Sequence, residues 1–224
     1  MSNTRIPIDI AWKDIDTVLL DMDGTLLDRH FDDYFWHTYV PETFSIVHDI
    51  TVEAARAQLL ARYKKEEGTL AWTDLDFWSR ELGLDIPALK MKVDQLIQVH
   101  PYVLDFLKFC QEIGKGVFLV TNAHSKTLDI KIKKTAIGSY FDRIICSQEV
   151  GVAKEDPVFW QRIEKMIHYD PNRTMLADDT ENVLISAEEH GIKYPIYVAR
   201  PSSTTPVVYS DRFPSIVYFK ELIF

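Results

Sequence analysis

From Pro101 onward, short apolar runs alternate with segments of helix length. The runs show no regular polar alternation, which is typical of strands buried on both faces of a sheet. Strands that are repeatedly separated by helices predict a parallel, doubly wound α/β sheet. The predicted order is a helix over 102–113, a strand over 117–120, a helix from Ser125 to about Gly138, a strand over 143–146, a helix from Pro157, a strand over 174–177, a helix over 182–190, a strand over 196–199, a loop over 200–214 and a short helix from about Ser215.

The first predicted strand is Val18–Leu20, and it is followed at once by Asp21, Asp23 and Gly24. Open α/β sheets bind their ligands at the carboxyl ends of the strands. Alternation along an extended chain places the two aspartates on the same side, so their negative charges call for a cation between them. A divalent cation with oxygen ligands meets that need, and glycine allows a sharp backbone turn. An isolated Asp-x-Asp-Gly is equally typical of a polar turn, so other stretches must decide.

Residues 29–100 interrupt this alternation and contain no convincing strand. Helical spacing of apolar residues and helix-capping patterns predict that the whole segment is helical. We therefore predict a core domain of residues 1–28 and 101–224 with an inserted helical domain of residues 29–100. The predicted helices of the insert run from Thr51 to Gly68, from a capping box of Thr73 and Asp76 to Gly83, and from Asp85 to Ile97.

The composition is that of an ordinary globular protein with an acidic balance, with 46% hydrophobic residues, 26% charged residues and a net charge of -9. Affinity for nucleic acid depends largely on Lys and Arg, so this charge argues against a nucleic-acid partner. The N-terminal stretch lacks the apolar run of a signal peptide, and no run of about 18 apolar residues is present, so we expect a cytoplasmic protein without a membrane partner. Cys110 and Cys146 lack Cys-x-x-Cys or zinc spacing and are predicted to be reduced packing residues.

Polar residues also lie beyond the later strands. Thr121 and Asn122 can hydrogen-bond a bound anion, although such a pair more often forms a turn. Lys154 lies in a loop before a predicted helix, where most lysines are solvated surface charges. Asp178 and Asp179 are adjacent carboxylates at the end of a buried strand, and their alternative role is to cap the next helix.

Singly these signals are weak, but in this order they resemble the four motifs of the haloacid dehalogenase-like superfamily of phosphohydrolases. The resemblance covers the whole predicted core. The insertion of residues 29–100 lies where this superfamily carries a helical cap domain. The four motifs are Asp21-Met22-Asp23-Gly24-Thr25, Thr121-Asn122, Lys154 and Asp178-Asp179.

These residues suit stepwise phosphoryl transfer. Asp21 is placed to attack phosphorus and form an aspartyl-phosphate. Asp23 would protonate the leaving alkoxide and then activate the water that cleaves the intermediate. Thr121, Asn122 and Lys154 would bind the transferring phosphoryl oxygens and stabilise their charge.

The resemblance also implies a bound Mg²⁺ ion. Its ligands would be a carboxylate oxygen of Asp21, the backbone carbonyl of Asp23 and a carboxylate of the fourth motif. Where relatives have Gly-Asp in that motif, the second residue is the ligand. We therefore expect Asp179 to bind the metal directly and Asp178 to support it.

Asp23 distinguishes among branches of the superfamily. Dehalogenases need neither a metal nor a carboxylate at that position, and cation-pumping ATPases have threonine there, so this chain resembles a phosphatase. A phosphomutase would also keep Asp23. A phosphatase of another small metabolite, such as phosphoglycolate or a sugar phosphate, stays open, and the complete set of site residues argues against a non-catalytic binding module.

Further stretches resemble the bacterial purine 5′-nucleotidases of this superfamily. This resemblance implies a purine nucleoside monophosphate, IMP or GMP, as substrate. No set of hydrogen-bonding residues in the sequence indicates base recognition, so nucleotide specificity rests on the resemblance alone. The stretches that carry it are residues 10–21, 31–36, 40–43 and 121–124.

An aromatic cluster of Phe31, Tyr34, Phe35 and Trp36 follows the first motif. Such rings could stack on a purine, although packing at a domain junction is their commoner role. His124 could touch phosphate or ribose, or simply begin a helix. The aromatic residues of the insert could likewise stack on a purine or pack the insert, and they are Trp72, Phe77 and Trp78.

Overall fold

All strands of the sheet run parallel in the computed structural model, which describes residues 5–223. The strands are β1 (Thr17–Leu20), β2 (Gly116–Thr121), β3 (Arg143–Cys146), β4 (Thr174–Asp178), β5 (Tyr194–Val198) and β6 (Ser215–Ile216). Their order in the sheet is β3-β2-β1-β4-β5-β6. The chain thus winds outward from β1 on one side and from β4 on the other, which confirms the predicted doubly wound sheet. The switch point, where such folds bind ligands, lies between β1 and β4.

The segment between β1 and β2 is helical, as predicted. A π-helical turn over Phe35–Tyr39 makes its first two helices continuous. A 3₁₀ turn over Asp94–Leu96 follows its last helix, so the third predicted helix is shorter than expected. The helices are α1 (His30–Tyr34), α2 (Val40–His48), α3 (Val52–Glu66), α4 (Leu70–Thr73), α5 (Leu75–Leu82) and α6 (Ile86–Lys92).

Five further helices follow the insert in the described part of the chain. They are α7 (Val103–Glu112), α8 (Ser125–Thr135), α9 (Ser147–Val150), α10 (Pro157–Ile167) and α11 (Glu181–His190). Among residues 5–223, no helix combines the length and apolar character that crossing a membrane requires.

The sheet separates two hydrophobic cores, because successive side chains of a strand point to opposite faces. Val18 and Leu20 of β1 lie in one core, which extends into the insert. Leu19 lies in the other core, with Trp160 of α10 and Leu184 of α11. All three β1 side chains are completely buried, which explains the continuous apolar run.

Two local predictions are wrong. The cap of α5 is Asp74, whose carboxylate accepts from the N–H groups of Asp76 at 2.8 Å and Phe77 at 3.1 Å. Thr73 instead ends α4, and its hydroxyl donates to the carbonyl of Leu70 at 3.4 Å. Ser215 begins the edge strand β6 and not a helix, because pairing with β5 buries Ser215 and Ile216 completely. The helical turn at this end of the chain comes later, over Phe219–Leu222.

Candidate active site

The carboxyl ends of β1, β2 and β4 converge on one cavity of about 460 Å³ beside the switch point. Residues of the helical insert form the opposite wall of this cavity. All the site residues predicted from the sequence line it, namely Asp21, Asp23, Thr121, Asn122, Lys154, Asp178 and Asp179.

The backbone turns sharply after Asp23. Gly24 has a φ of +88°, its N–H donates to the carbonyl of Leu27 at 2.8 Å, and the N–H of Leu27 donates to the carbonyl of Met22 at 2.8 Å. This conformation suits glycine, which has no Cβ to clash at positive φ. The turn leads the chain from the end of β1 directly into the insert.

Lys154 is an internal cation, only 2% exposed. Its Nζ donates to Oδ1 of Asp21 and, at 2.7 Å, to Oδ2 of Asp178. Burial on its own would lower the pKa of Lys154, but the two carboxylates outweigh burial and raise it. The lysine is therefore a fixed positive charge between the ends of β1 and β4, and the solvated surface role does not apply.

Asp21, Asp178 and Asp179 form a cluster in which one carboxylate oxygen of each lies within 4.8 Å of the others. Burial raises the pKa of Asp21 to about 6, with Lys154 opposing the rise, and burial together with Asp178 holds the pKa of Asp179 well above its usual range. The Arg29 guanidinium pairs with Asp179 at 2.8 Å. Such concentrated negative charge on hard oxygen donors fits a divalent cation such as Mg²⁺.

Asn122 and Thr121 organise the end of β2. Oδ1 of Asn122 accepts from the backbone N–H of Lys154 at 3.0 Å, and its amide donates to Glu155 at 2.9 Å, so Asn122 holds the Lys154 loop. Oγ1 of Thr121 accepts from the N–H of Ala123 at 3.0 Å, which leaves its hydroxyl hydrogen for another acceptor.

His124 is the N-terminal cap of α8, so it has the helix-start role, one of its two predicted roles. Its Nδ1 accepts from the N–H of Lys126 at 3.2 Å, and its Nε2 lies 3.4 Å from Oδ1 of Asp74. His124 also lines the cavity, and its contact with Asp74 joins the core to the insert.

The carboxylate of Asp23 lies outside the three-carboxylate cluster and contacts residues that the sequence analysis missed. Its Oδ1 accepts from Nζ of Lys131 at 2.5 Å. Lys131 also binds Asp32, which in turn binds Lys90 at 2.8 Å. Burial raises the pKa of Asp23 to about 6 against the opposing charge of Lys131. Lys131 lies one helical turn after Thr127, which lines the cavity, but nothing in the local sequence distinguishes it from its neighbours Lys133 and Lys134.

The aromatic cluster of residues 31–36, which could stack on a purine, lies in the described part of the chain. Of its four rings, only that of Trp36 lines the cavity. Phe31 and Phe35 are buried in the hydrophobic core that extends into the insert, and Tyr34 stacks on Tyr39 with ring centroids 6.4 Å apart. Further rings of the insert join Trp36 in the cavity wall. They are Tyr63, Trp72 and Trp78.

The family model for haloacid dehalogenase-like hydrolases matches residues 15–191, a range that contains every residue of this site. The chain belongs to the haloacid dehalogenase-like hydrolases. The resemblance inferred from the four motifs is thus confirmed, and the protein is an enzyme of the hydrolase class.

Known relatives of this haloacid dehalogenase-like hydrolase differ in their activities. This chain is 37% identical over 216 residues to the GMP/IMP nucleotidase YrfG of Escherichia coli (strain K12), and the match covers 96% of this chain and 97% of that protein. It is 24% identical over 195 residues to a phosphoglycolate phosphatase of Pseudomonas putida, covering 79% of this chain and 66% of that protein. The crystal structure of a HAD phosphatase from Thermococcus onnurineus shares the fold, with a TM-score of 0.78, 22% identity and coverage of 93% and 96% of the two chains.

Proposed function

We propose that this hydrolase is a Mg²⁺-dependent phosphomonoesterase that acts through an aspartyl-phosphate on Asp21, and that its substrates are the purine nucleotides IMP and GMP. The observation that carries the proposal is the placement of Asp21 in the cavity, with Lys154 on one of its oxygens and Asp178 and Asp179 beside it. A nucleophile, a fixed cation and a hard metal site within one cavity are the elements that phosphoryl transfer needs.

In the first step, an oxygen of Asp21 attacks phosphorus and the bond to the leaving oxygen breaks. Asp23 gives its proton to that oxygen, and the nucleoside leaves. In the second step, the ionised Asp23 takes a proton from a water that attacks the phosphorus of the aspartyl-phosphate. Inorganic phosphate leaves, and Asp21 is free for another cycle.

The remaining site residues would stabilise charge on the transferring group. Lys154 and the hydroxyl of Thr121 would contact its oxygens, and Asn122 would contribute its amide and keep the Lys154 loop in place. Mg²⁺ bound by Asp21, the backbone carbonyl of Asp23 and Asp179, with Asp178 in support, would neutralise part of the charge.

We further propose that residues 29–100 form a cap domain over this site. The two segments that connect the core to the insert lie side by side. The N–H of Asp28 donates to the carbonyl of Gln98, and the N–H of His100 donates to the carbonyl of Leu26, both at 2.9 Å. All phosphomonoesters share the phosphoryl group that the core binds, so discrimination among leaving groups must come from the insert.

Two observations support a purine nucleotide as substrate. The similarity to the GMP/IMP nucleotidase extends over nearly the full length of both chains, insert included. Aromatic rings, among them Trp36 and Trp72, line the insert side of the cavity, where they could stack on a base. A glycolate leaving group would make no use of these rings.

A panel of phosphorylated metabolites assayed with Mg²⁺ at neutral pH tests the proposal. We expect the highest kcat/KM on IMP and GMP, and no turnover by the Asp21→Asn variant or after chelation of the metal. Faster hydrolysis of phosphoglycolate or hexose phosphates would overturn the nucleotide assignment alone. Failure to hydrolyse any ester would overturn the phosphatase assignment as well.

A further inference from the structure

Two buried lysines and two aspartates form a continuous chain of charges from the site into the insert. Nζ of Lys131 binds Asp23 and Asp32, and Nζ of Lys90 binds the other oxygen of Asp32 at 2.8 Å. Both lysines are only 1% exposed. Lys131 belongs to α8 of the core, whereas Asp32 belongs to α1 and Lys90 to α6 of the insert.

Aromatic rings lie against both ammonium groups. Nζ of Lys90 lies 4.6 Å from the ring centroid of Phe35 and 4.8 Å from that of Phe31, and Nζ of Lys131 lies 5.2 Å from that of Phe31. Burying ion pairs gives little or no stability over apolar side chains of the same volume. A gain in stability is therefore not a sufficient reason for this arrangement, whereas the arrangement does fix the position of the Asp23 carboxylate.

We propose that Lys131 is a positioning residue that holds Oδ1 of Asp23 and leaves Oδ2 to exchange the proton with the leaving oxygen. Among the described residues 5–223, no hydrogen-bond donor other than Lys131 reaches the Asp23 carboxylate. The Asp23 side chain is 25% exposed and lines the cavity, so its second oxygen is accessible to a substrate. The proposal rests on the acid–base role assigned to Asp23 above.

Asp32 and Lys90 extend this role to the insert. Asp32 binds the ammonium group of Lys131 and so fixes the direction from which this group contacts Asp23. Lys90 ties Asp32 to α6, so the orientation of the acid–base group depends on the packing of the insert against α8. The chain of charges therefore links the side of the cavity that selects the leaving group to the residue that protonates it.

Leaving-group dependence tests the role of Lys131, because a good leaving group needs little protonation. The two substrates are p-nitrophenyl phosphate and phenyl phosphate. The phenolate released from phenyl phosphate is more basic than p-nitrophenolate and is the poorer leaving group. The readout is kcat/KM, which reports the steps up to leaving-group release. We expect Lys131→Met to lower kcat/KM by about tenfold to a hundredfold for phenyl phosphate and by less than about threefold for the nitrophenyl ester.

Two variants of α8 serve as comparisons. Lys131→Arg keeps the positive charge and should recover part of the loss on phenyl phosphate. Lys133→Met removes an exposed lysine of the same helix and should match the wild type on both esters. Equal losses on both esters in Lys131→Met would indicate a general structural effect and would overturn the proposal.

A double-mutant cycle shows whether Lys131 acts through Asp23. In the Asp23→Asn background, Lys131→Met should cause no further loss on phenyl phosphate, and an additional tenfold loss would contradict the proposal. If Asp23→Asn lowers kcat/KM equally for both esters, the acid–base role fails and this inference fails with it. Neither ester is a nucleotide, so the outcome is independent of the assignment of IMP and GMP.

Asp32→Asn is a second variant in case Lys131→Met does not fold, which thermal unfolding would reveal. It keeps Lys131 and removes the charge that orients it. We expect a loss of about threefold to tenfold on phenyl phosphate with little change on the nitrophenyl ester. An unchanged ratio of the two kcat/KM values would overturn the role of the charge chain.

Discussion

A Cβ atom on Gly24 would lie only 2.5 Å from Oδ2 of Asp179. The turn after β1 and the residue after β4 thus pack against each other with no room for a methyl group. Gly24 therefore has two functions, since it permits the positive φ of the turn and leaves the space in which the Asp179 carboxylate lies beside Asp21.

Gly24→Ala should accordingly impair both folding and metal binding. Left-handed backbone costs a residue with a Cβ about 1–2 kcal/mol, and the methyl group would displace Asp179. Urea unfolding and titration with Mg²⁺ measure the two effects. Gly68→Ala is the matched control, because Gly68 has a φ of +80° but nothing within 4 Å of its Cβ position. Equal loss of Mg²⁺ affinity in both variants would contradict the role of the Asp179 contact.

Asp179→Ala should weaken metal binding more than Asp178→Ala. Both oxygens of Asp178 already accept hydrogen bonds, from the N–H of Thr180 at 2.9 Å and from Lys154 at 2.7 Å. Asp179 has one oxygen paired with Arg29, which leaves the other for a cation. Calorimetric titration of each variant with Mg²⁺ gives the two affinities, and the reverse order would reassign the metal ligand to Asp178.

Asp21→Asn should lower kcat by at least about a thousandfold while the protein stays folded. Asparagine has nearly the same shape but is a poor nucleophile, and Lys154 keeps its bond to Asp178. Kinetics on IMP, thermal unfolding and binding of inorganic phosphate separate the three properties. A folded variant that retains more than a few per cent of the wild-type kcat would rule out the covalent mechanism.

The stability gained from Mg²⁺ should increase with pH. The pKa of Asp21 rises from 3.8 to about 6 in the folded protein, and the pKa values of Asp178 and Asp179 also rise. Between about pH 3.8 and pH 6, the ordinary and the raised pKa of Asp21, the metal-free folded state holds more protons than the unfolded chain. Its free energy of unfolding therefore falls as pH rises.

Mg²⁺ needs ionised carboxylates, so at about pH 5 it must displace protons and should bind about tenfold more weakly than above pH 6. The measurement is the shift of Tm on adding Mg²⁺ at about pH 5 and at about pH 7.5, with the larger shift expected at the higher value. Equal shifts would mean that these carboxylates do not bind the ion. Asp179→Ala, measured in parallel, should show little shift at either pH.

The sequence predicted the strands of the sheet better than the charged residues around Asp23. Buried parallel strands are continuous apolar runs with polar residues at their carboxyl ends, so β1 and β4 and their aspartates were recognisable. Lys131 could not be distinguished locally from Lys133 and Lys134, because most helical lysines face solvent and its burial depends on the insert packing against α8. The strand β6 was missed for a similar reason, since pairing with β5 and not local sequence makes it extended.

Specificity for the purine is expected to depend on Trp36 and not on Tyr34. Trp36 lines the cavity, with its ring centroid 5.7 Å from that of Tyr63 and 5.9 Å from that of Trp78. Tyr34 lies two residues earlier and stacks on Tyr39. A base that stacks on Trp36 would gain about 1–3 kcal/mol, which corresponds to a tenfold to hundredfold change in kcat/KM.

Trp36→Ala should therefore lower kcat/KM for IMP about tenfold to a hundredfold more than for p-nitrophenyl phosphate, while Tyr34→Ala should lower both by similar factors. The nitrophenyl ester is the internal reference, because it uses the same phosphoryl site without a ribose or purine. If Trp36→Ala reduced both activities equally, the ring would serve only to pack the insert. Base recognition would then have to be sought among the other rings of the cavity wall, beginning with the half-exposed Trp72.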